Sequence, residues 1–547
     1  MPDTAPLEPA ESPTDSLTFP RLSDAEIDIL RMVGEEMTFA DRESLWKPGE
    51  PDYCFFVILE GGAFIADAPN VAETERIAYH GERAFTGDVD MMTGRPAPVG
   101  CYSDGNTRTL RLSAEELREI VRVEQNLGGK ILGAFIRRRE ILLQSESHGI
   151  LIVGSRFDPE TIALREFLGR NRVVHYWRQP EDSETAALMH GFGLEAKDTP
   201  MVLLGDERLT HPSIADLADK LGVRLQTGTT KYDLVIIGAG PAGLAAAVYG
   251  ASEGLQTLLL DRSAPGGQAS WSSRIENYMG FPEGLTGSDL AARGLIQAQK
   301  FGAEISIPAD VTHLDGCKTG HRLTLENGDT IDARAIVVAT GAKYQKLDIP
   351  GFAQFEQAGV YYAATRMEAD FCSDDEIVVV GAGNSAGQAT VFLSQFCKKV
   401  RLVVRGNKLN TAMSDYLSYR VEQIPNVEIH LSTEVTCLQG GDRVERAVLE
   451  GATNATVPCA GFFVFIGATP NTAFLRDCIE VDDKGFVITG DALGDAWTES
   501  RLPFYLETSC PGVFAAGDCR VGSVKRVASS VGEGSMAVTF VHRVLAM

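Results

Sequence analysis

Short apolar runs that stop on glycine recur through the C-terminal part of the chain: DLVIIGAG, AIVVAT, IVVVGAG, VRLVVRG and GFFVFIGA. Without polar alternation, such runs predict strands buried on both faces, as in a parallel sheet covered by helices. Residues 148–225 alternate between the two periods. GILIVGS, VVHYWR and PMVLLGD read as strands, and ETIALREFLGR, ETAALMHGF and IADLADKLG as helices, which predicts a small α/β unit. Residues 21–145 open on a helical pattern, SDAEIDILRMV, with Ser23 placed as its N-cap. The strand-like FFVILEGGAFIAD follows, and two helical segments, SAEELREIVRVEQ and GGKILGAFIRRREILL, close the region. Residues 1–20 hold five prolines and no basic residue, which predicts a disordered tail. RLQTGTTKYD reads as a linker.

At 547 residues the chain exceeds one hydrophobic core and implies roughly three to four domains. The formal charge of −25 argues against nucleic acid or an anionic membrane as a partner. No apolar run approaches a membrane span, and the acidic, proline-rich start is neither export signal nor transit peptide, so a cytoplasmic location is expected. Ten cysteines include no CxxC pair, which removes the usual signature of a zinc knuckle or a local redox dithiol; no metal site is expected.

Two glycine patterns carry the chemistry. DLVIIG leads into Gly238-Ala-Gly240-Pro241-Ala242-Gly243 and a helical pattern, and the next strand ends on Asp261, 23 residues after Gly238. This is the dinucleotide fingerprint in its required context: glycines for the turn and the pyrophosphate, a helix N-terminus facing it, and an acid for the ribose. The pattern recurs 143 residues later as Gly381-Ala-Gly383-Asn384-Ser385-Ala386, with the following strand ending on Arg405. An acid there would repel a 2′-phosphate, whereas Arg405 can pair with one, which favours NADPH over NADH.

Further motifs follow in order: Pro265-Gly-Gly267-Gln268, Ile275-Glu-Asn277, Ala339-Thr340-Gly341, Ile466-Gly-Ala-Thr-Pro-Asn471 and Gly512-Val-Phe-Ala-Ala-Gly517-Asp518. Together they resemble the thioredoxin reductase family of flavoproteins. The resemblance implies an FAD domain split as 232–350 and 472–547, an NAD(P)H domain at 351–471, a homodimer, and a swivel between the two domains. It also implies that Asp518 meets the ribityl–phosphate region of FAD and that Lys525-Arg526-Val527 lies at the flavin ring. The family's redox-active C-A-T-C falls on Ala363-Ala364-Thr365-Arg366, so its flavin-to-dithiol relay is broken here. Cysteine-free relatives, the thioredoxin-reductase-like ferredoxin/flavodoxin–NADP reductases, match Gly532-Glu-Gly534, but the chain ends at Met547 without their aromatic extension.

Residues 148–225 resemble a glutaredoxin/thioredoxin-like fold, with Asp198-Thr199-Pro200 where such folds place a cis-proline and Ser155-Arg-Phe-Asp-Pro159 at the missing CxxC. Residues 21–145 resemble a cyclic-nucleotide-binding β-roll. Asp88 replaces the glutamate of its phosphate cassette, Ala97 falls at the arginine position, and Arg95 stands two residues early, which weighs against a cyclic nucleotide as ligand. The expected chain is therefore multidomain α/β, two Rossmann-like FAD/NAD(P) domains preceded by a β-roll and a small thioredoxin-like domain. The expected activity is transfer of hydride from NADPH, or NADH, to FAD and of electrons to an unidentified acceptor such as a small redox protein. No side chain is expected as catalytic acid, base or nucleophile. A redox or nucleotide sensor and a ferredoxin/flavodoxin reductase are the alternatives.

Overall fold

The computed structural model describes residues 13–547 apart from Glu146, Asp206, 225–230, Ser273, Arg274, Glu276, Asn277, Lys318, Thr319, Gln357, Ala363, Thr365 and Ala412. The expected linker and Asn277 thus fall largely or wholly outside the described residues. The chain divides into two compact units, Met1–Gln226 with Ile296–Ala309, and Thr227–Leu295 with Asp310–Met547.

In the first unit an antiparallel sheet runs in the order Glu35–Phe39, Gly100–Leu112, Phe55–Ala66, Ala78–His80, with Ser44–Trp46 also paired to Gly100–Leu112. Phe55 stands opposite Leu112 and Ala66 opposite Gly100. Phe55 and Phe85 each meet Phe135 edge to face and tilt against each other in the core this sheet shares with the helix Gln125–Leu143. Ser113 and Glu116 form a capping box that starts the preceding helix, Ala114–Val123.

A second sheet, ordered His175–Arg178, Ile150–Val153, Met201–Leu204, Glu207–Thr210, is parallel in its first pair and antiparallel in the others. The Thr199–Pro200 peptide is cis. One expectation changes here. The tail is not wholly disordered: Pro13–Thr18 is helical, held where the Thr18 carbonyl accepts the Arg138 Nε–H at 3.0 Å. Residues 21–145 and 148–225 lie in the same unit, joined in part by Arg95 Nη1 donating to the Asn171 carbonyl at 2.7 Å. Residues 296–309 lie in this unit too, where the Ile307 amide donates to the Val223 carbonyl at 3.0 Å.

The second unit contains a mixed sheet with a parallel core and an all-parallel sheet. In one, Thr257–Leu260, Lys231–Ile237, Thr330–Val338 and Val513–Ala515 lie side by side and parallel, followed on the far side of Thr330–Val338 by the antiparallel strands Gly320–Leu325 and Val311–Cys317. The other runs Val360–Tyr361, Gly461–Val464, Glu376–Val380, Lys399–Val404, Val427–Leu431, all parallel. Leu234, Val235, Ile236, Ile336 and Val337 are fully buried, as are Ile377, Val378 and Val379, so the unbroken apolar runs do mark strands covered on both faces.

Candidate functional site

Strand register assembles the first site. Ile237 is level with Leu260 and with Val338, and Val338 is level with Ala515. Four strands therefore end on one line, and the residues that follow them are Gly238, Asp261, Ala339-Thr340-Gly341 and Ala516-Gly517-Asp518. Motifs up to 280 residues apart in sequence meet at the carboxyl edge of the sheet, where open α/β sheets bind their ligands. Backbone bonds lock the edge: Gly238 N–H to Leu260 O at 2.7 Å, Ala339 N–H to Ile237 O at 2.8 Å, Ala516 N–H to Val338 O at 2.9 Å.

The cradle fits a pyrophosphate. Gly238 has φ +107°, a conformation side chains disfavour, and a Cβ on Gly243 would run into the Gly238 carbonyl oxygen. Pro241 and Ala242 open the helix Pro241–Ser252, whose first turn faces the same edge. Gly266 N–H donates to Ala239 O at 2.7 Å, which lays Gly267 against Gly240, and Gln268 Nε2 donates to the Ala342 carbonyl at 2.7 Å. Asp261 Oδ2 accepts the Ala239 amide at 2.8 Å and Oδ1 accepts those of Ser263 and Ala264 at 2.9 and 3.1 Å. That carboxylate thus shapes the loop, with lone-pair capacity left on Oδ2 for a ribose hydroxyl.

Asp518 is half-buried, and burial raises its carboxyl above the usual range against the pull of the Lys525 ammonium. Lys525 and Arg526 are exposed, and Arg526 is the N-cap of the long helix Val527–Leu545. Glu533 on that helix accepts the Gly517 amide at 2.7 Å and pairs with Arg520 at 2.5 Å. Nothing local in the sequence marks Glu533 for this role. Gly534 lets the same helix lie against Pro241–Ser252, since a Cβ there would strike the Ala242 carbonyl.

The second fingerprint repeats the geometry. Val380 is level with Val403 and Val464, Gly381 N–H donates to Val403 O at 3.1 Å, and Gly381 has φ +146°. Gly383 precedes the helix Asn384–Leu393, which carries Ser385 and Ala386 in its first turn, and the space where its Cβ would stand is open. Asn384 Oδ1 accepts the Ser414 amide at 2.8 Å. Arg405, one residue past the strand, is exposed and has no ion pair among the described residues. Both sites therefore have the room and the donors that a dinucleotide needs.

The thiols lie elsewhere. Ala364 is buried, Arg366 is exposed and pairs with Asp370 at 2.6 Å, and Ala363 and Thr365 fall outside the described residues. Cys372 is fully buried in an apolar core with Cys397, and burial raises both thiols, Cys397 to about 12. Such thiols are inert. Cys478 and Cys510 behave differently. Their side chains hydrogen-bond each other beside Gly316, and this bond lowers Cys478 to about 7. They are 32 residues apart, a spacing that gives no motif.

Residues 232–534 match the family model described as pyridine nucleotide-disulphide oxidoreductase. The chain belongs to that family. It is an FAD-dependent oxidoreductase. A thioredoxin reductase from Listeria monocytogenes is 32% identical over 310 residues, 56% of this chain and 91% of that protein. One from Peptoclostridium acidaminophilum is 34% identical over 320 residues, 56% of this chain and 95% of that protein. Among solved structures, Lactococcus lactis thioredoxin reductase superposes with a TM-score of 0.52 at 29% identity, covering 58% of this chain and all of that one. Thioredoxin reductase from T. acidophilum gives 0.52 at 26%, covering 58% and 99%. Among the described residues no helix is long and apolar enough to cross a membrane.

Proposed function

We propose that the chain takes hydride from NADPH onto FAD and passes the electrons to an acceptor other than a disulfide of the thioredoxin reductase type. The observation that carries this reading is the segment Tyr362–Arg366, which holds no cysteine, next to a Cys372 that is buried and resistant to ionisation. FAD, when bound, supplies the hydride-accepting ring, and no protein acid or base is needed for that transfer. The protein's part is binding and electrostatics. Gly238, Gly240 and Gly243 let the backbone and the helix N-terminus reach one pyrophosphate, with Asp261 on the ribose and Thr340, Gly341 and Asp518 lining the strand ends. Gly381, Gly383 and the helix Asn384–Leu393 hold the second, with Arg405 on a 2′-phosphate. The positive end of the helix Val527–Leu545 stabilises negative charge on a reduced flavin ring beside Lys525-Arg526-Val527.

A small redox protein is the acceptor we favour, and self-association into a homodimer belongs to the same proposal. The mixed sheet of residues 150–210 supports a thioredoxin-like fold that lacks the CxxC and serves docking. Anaerobic rapid mixing of the flavin-loaded chain with NADPH, then separately with NADH, tests the reading. Flavin absorbance should bleach within the range of enzymatic turnover, at about 1 per second or faster, and faster with NADPH. Flavin that stays oxidised with either nucleotide would leave the chain a sensor rather than an enzyme.

A further inference from the structure

Cys478 and Cys510 are brought together by the backbone around them. Cys478 follows the short turn Ala473–Leu475, where its amide donates to Leu475 O at 2.9 Å. Cys510 opens a tight turn through Pro511 and Gly512, closed by the Val513 amide on Cys510 O at 3.1 Å, with Gly512 at φ +82°. Thr508 Oγ1 accepts the Cys510 amide at 3.2 Å, and Ser509 Oγ accepts the Glu480 amide at 2.8 Å. That last bond ties the two cysteine loops to each other, next to both thiols.

Gly316, on the adjoining strand Val311–Cys317, makes the room. A Cβ there would run into Cys510 Sγ and stand 3.2 Å from Cys478 Sγ, so both sulfurs crowd the place of one absent side chain. Both thiols are half-buried, which leaves them open to a small molecule. His321, paired with Gly316 on the next strand, brings its Nδ1 to 3.7 Å from the same point. Burial lowers His321 to about 4, so the ring stands there uncharged.

The two thiols are not equivalent. Cys510 S–H and the Gly316 amide both donate to Cys478 Sγ, and the field of His313 favours its thiolate where that of Asp315 opposes it. Cys478 therefore ionises first, and Cys510 is placed to attack whatever forms on it. Position in the fold separates the pair from the flavin cradle. Cys510 precedes the strand Val513–Ala515, whose other end leads into Gly517 and Asp518, so thiols and cradle lie at opposite edges of one sheet.

We propose that Cys478 and Cys510 form a thiol–disulfide exchange site for small disulfides, distinct from the flavin site and independent of the flavin's electron acceptor. The Cys478 thiolate attacks one sulfur of a disulfide RSSR, forms a mixed disulfide and expels RS⁻. Cys510 gives up its proton and attacks Cys478 Sγ, which closes the Cys478–Cys510 bond and expels the second RS⁻. The two cysteines lose two electrons, and RSSR gains them and leaves as two RSH.

Full-length, flavin-loaded protein is incubated with hydroxyethyl disulfide, quenched in acid, alkylated and mapped by mass spectrometry. Peptides linked through Cys478 and Cys510 should exceed the mixed disulfide on Cys478 by about tenfold or more, since adjacent thiols react intramolecularly. Cys510→Ser keeps a hydroxyl to donate to Cys478 and should trap it as the mixed disulfide. Cys478→Ser should slow modification of Cys510 by about tenfold or more. Gly316→Ala, which wedges a methyl against both sulfurs, should lower the ratio of linked to mixed product by about tenfold. NADPH should leave the closed bond intact. Should a variant fail to fold, the ratio in the parent protein decides alone. A stable mixed disulfide in the parent, linkage through another cysteine, no reaction at either thiol, undiminished modification of Cys510 in Cys478→Ser, or reopening by NADPH would each overturn the proposal.

Discussion

Glu533 and Arg520 form a buried ion pair at 2.5 Å, side chains 13% and 8% exposed, and the same carboxylate accepts the Gly517 amide. The pair joins the C-terminal helix to the loop that carries Asp518. Removing one partner leaves the other charge buried, so Glu533→Gln should cost about 3 kcal/mol. Thermal unfolding should fall accordingly, and the purified variant should carry less flavin than the parent by absorbance. Unchanged melting and full flavin content would detach this pair from the site.

The two fingerprints should answer differently to added methyl groups. Alanine at Gly243 would force the turn apart, because its Cβ meets the Gly238 carbonyl. Gly243→Ala is expected to purify without flavin. At Gly383 the space is open and φ is −88°, so Gly383→Ala should fold, retain flavin and melt normally. Its methyl would occupy room meant for a pyrophosphate, raising KM for NADPH by about tenfold or more, a difference of about 1.4 kcal/mol. Steady-state kinetics with a dye acceptor reads this directly.

Arg405 carries the nucleotide preference. Arg405→Ala should weaken NADPH by roughly 10- to 100-fold, the value of about 1.5–3 kcal/mol for a hydrogen bond to a charged group. NADH, which lacks the 2′-phosphate, should be nearly unaffected. Equal losses for both would assign Arg405 a structural role.

Cys478 should be the most reactive thiol near neutral pH. With its ionisation lowered to about 7, its alkylation by iodoacetamide should rise steeply from pH 6 to 8 and then level off. Cys510→Ala removes the hydrogen bond that lowers it and should move the midpoint toward the ordinary thiol value of about 8.5. Peptide mass spectrometry of timed alkylation checks both. Buried Cys372 and Cys397 should stay unlabelled in the folded protein.

Glycine and unbroken apolar runs made the C-terminal architecture readable, because a buried parallel strand and a phosphate turn each demand particular residue types locally. Gly238, Gly243 and Gly381 stand where their patterns place them, at positive φ or in van der Waals contact with backbone. What the sequence could not show is register. Nothing local says that Ile237, Leu260, Val338 and Ala515 end level, yet that alignment brings the motifs together. The same holds for Cys478 with Cys510 and for Arg520 with Glu533, whose partners are chosen by tertiary packing. Arg138 looked like one cation in the run IRRRE; only burial distinguishes it from its exposed neighbour Arg137. The helix Pro13–Thr18 was hidden by proline and acid content typical of disorder, which says nothing of the contact at Thr18.

Counting electrons tests the central claim most directly. The flavin-loaded chain is titrated anaerobically with NADPH while flavin absorbance is followed. A flavin without a coupled disulfide takes up one equivalent of NADPH per FAD, and the account predicts complete bleaching at that point. A requirement for two equivalents would reveal a second two-electron centre in communication with the flavin and would contradict it.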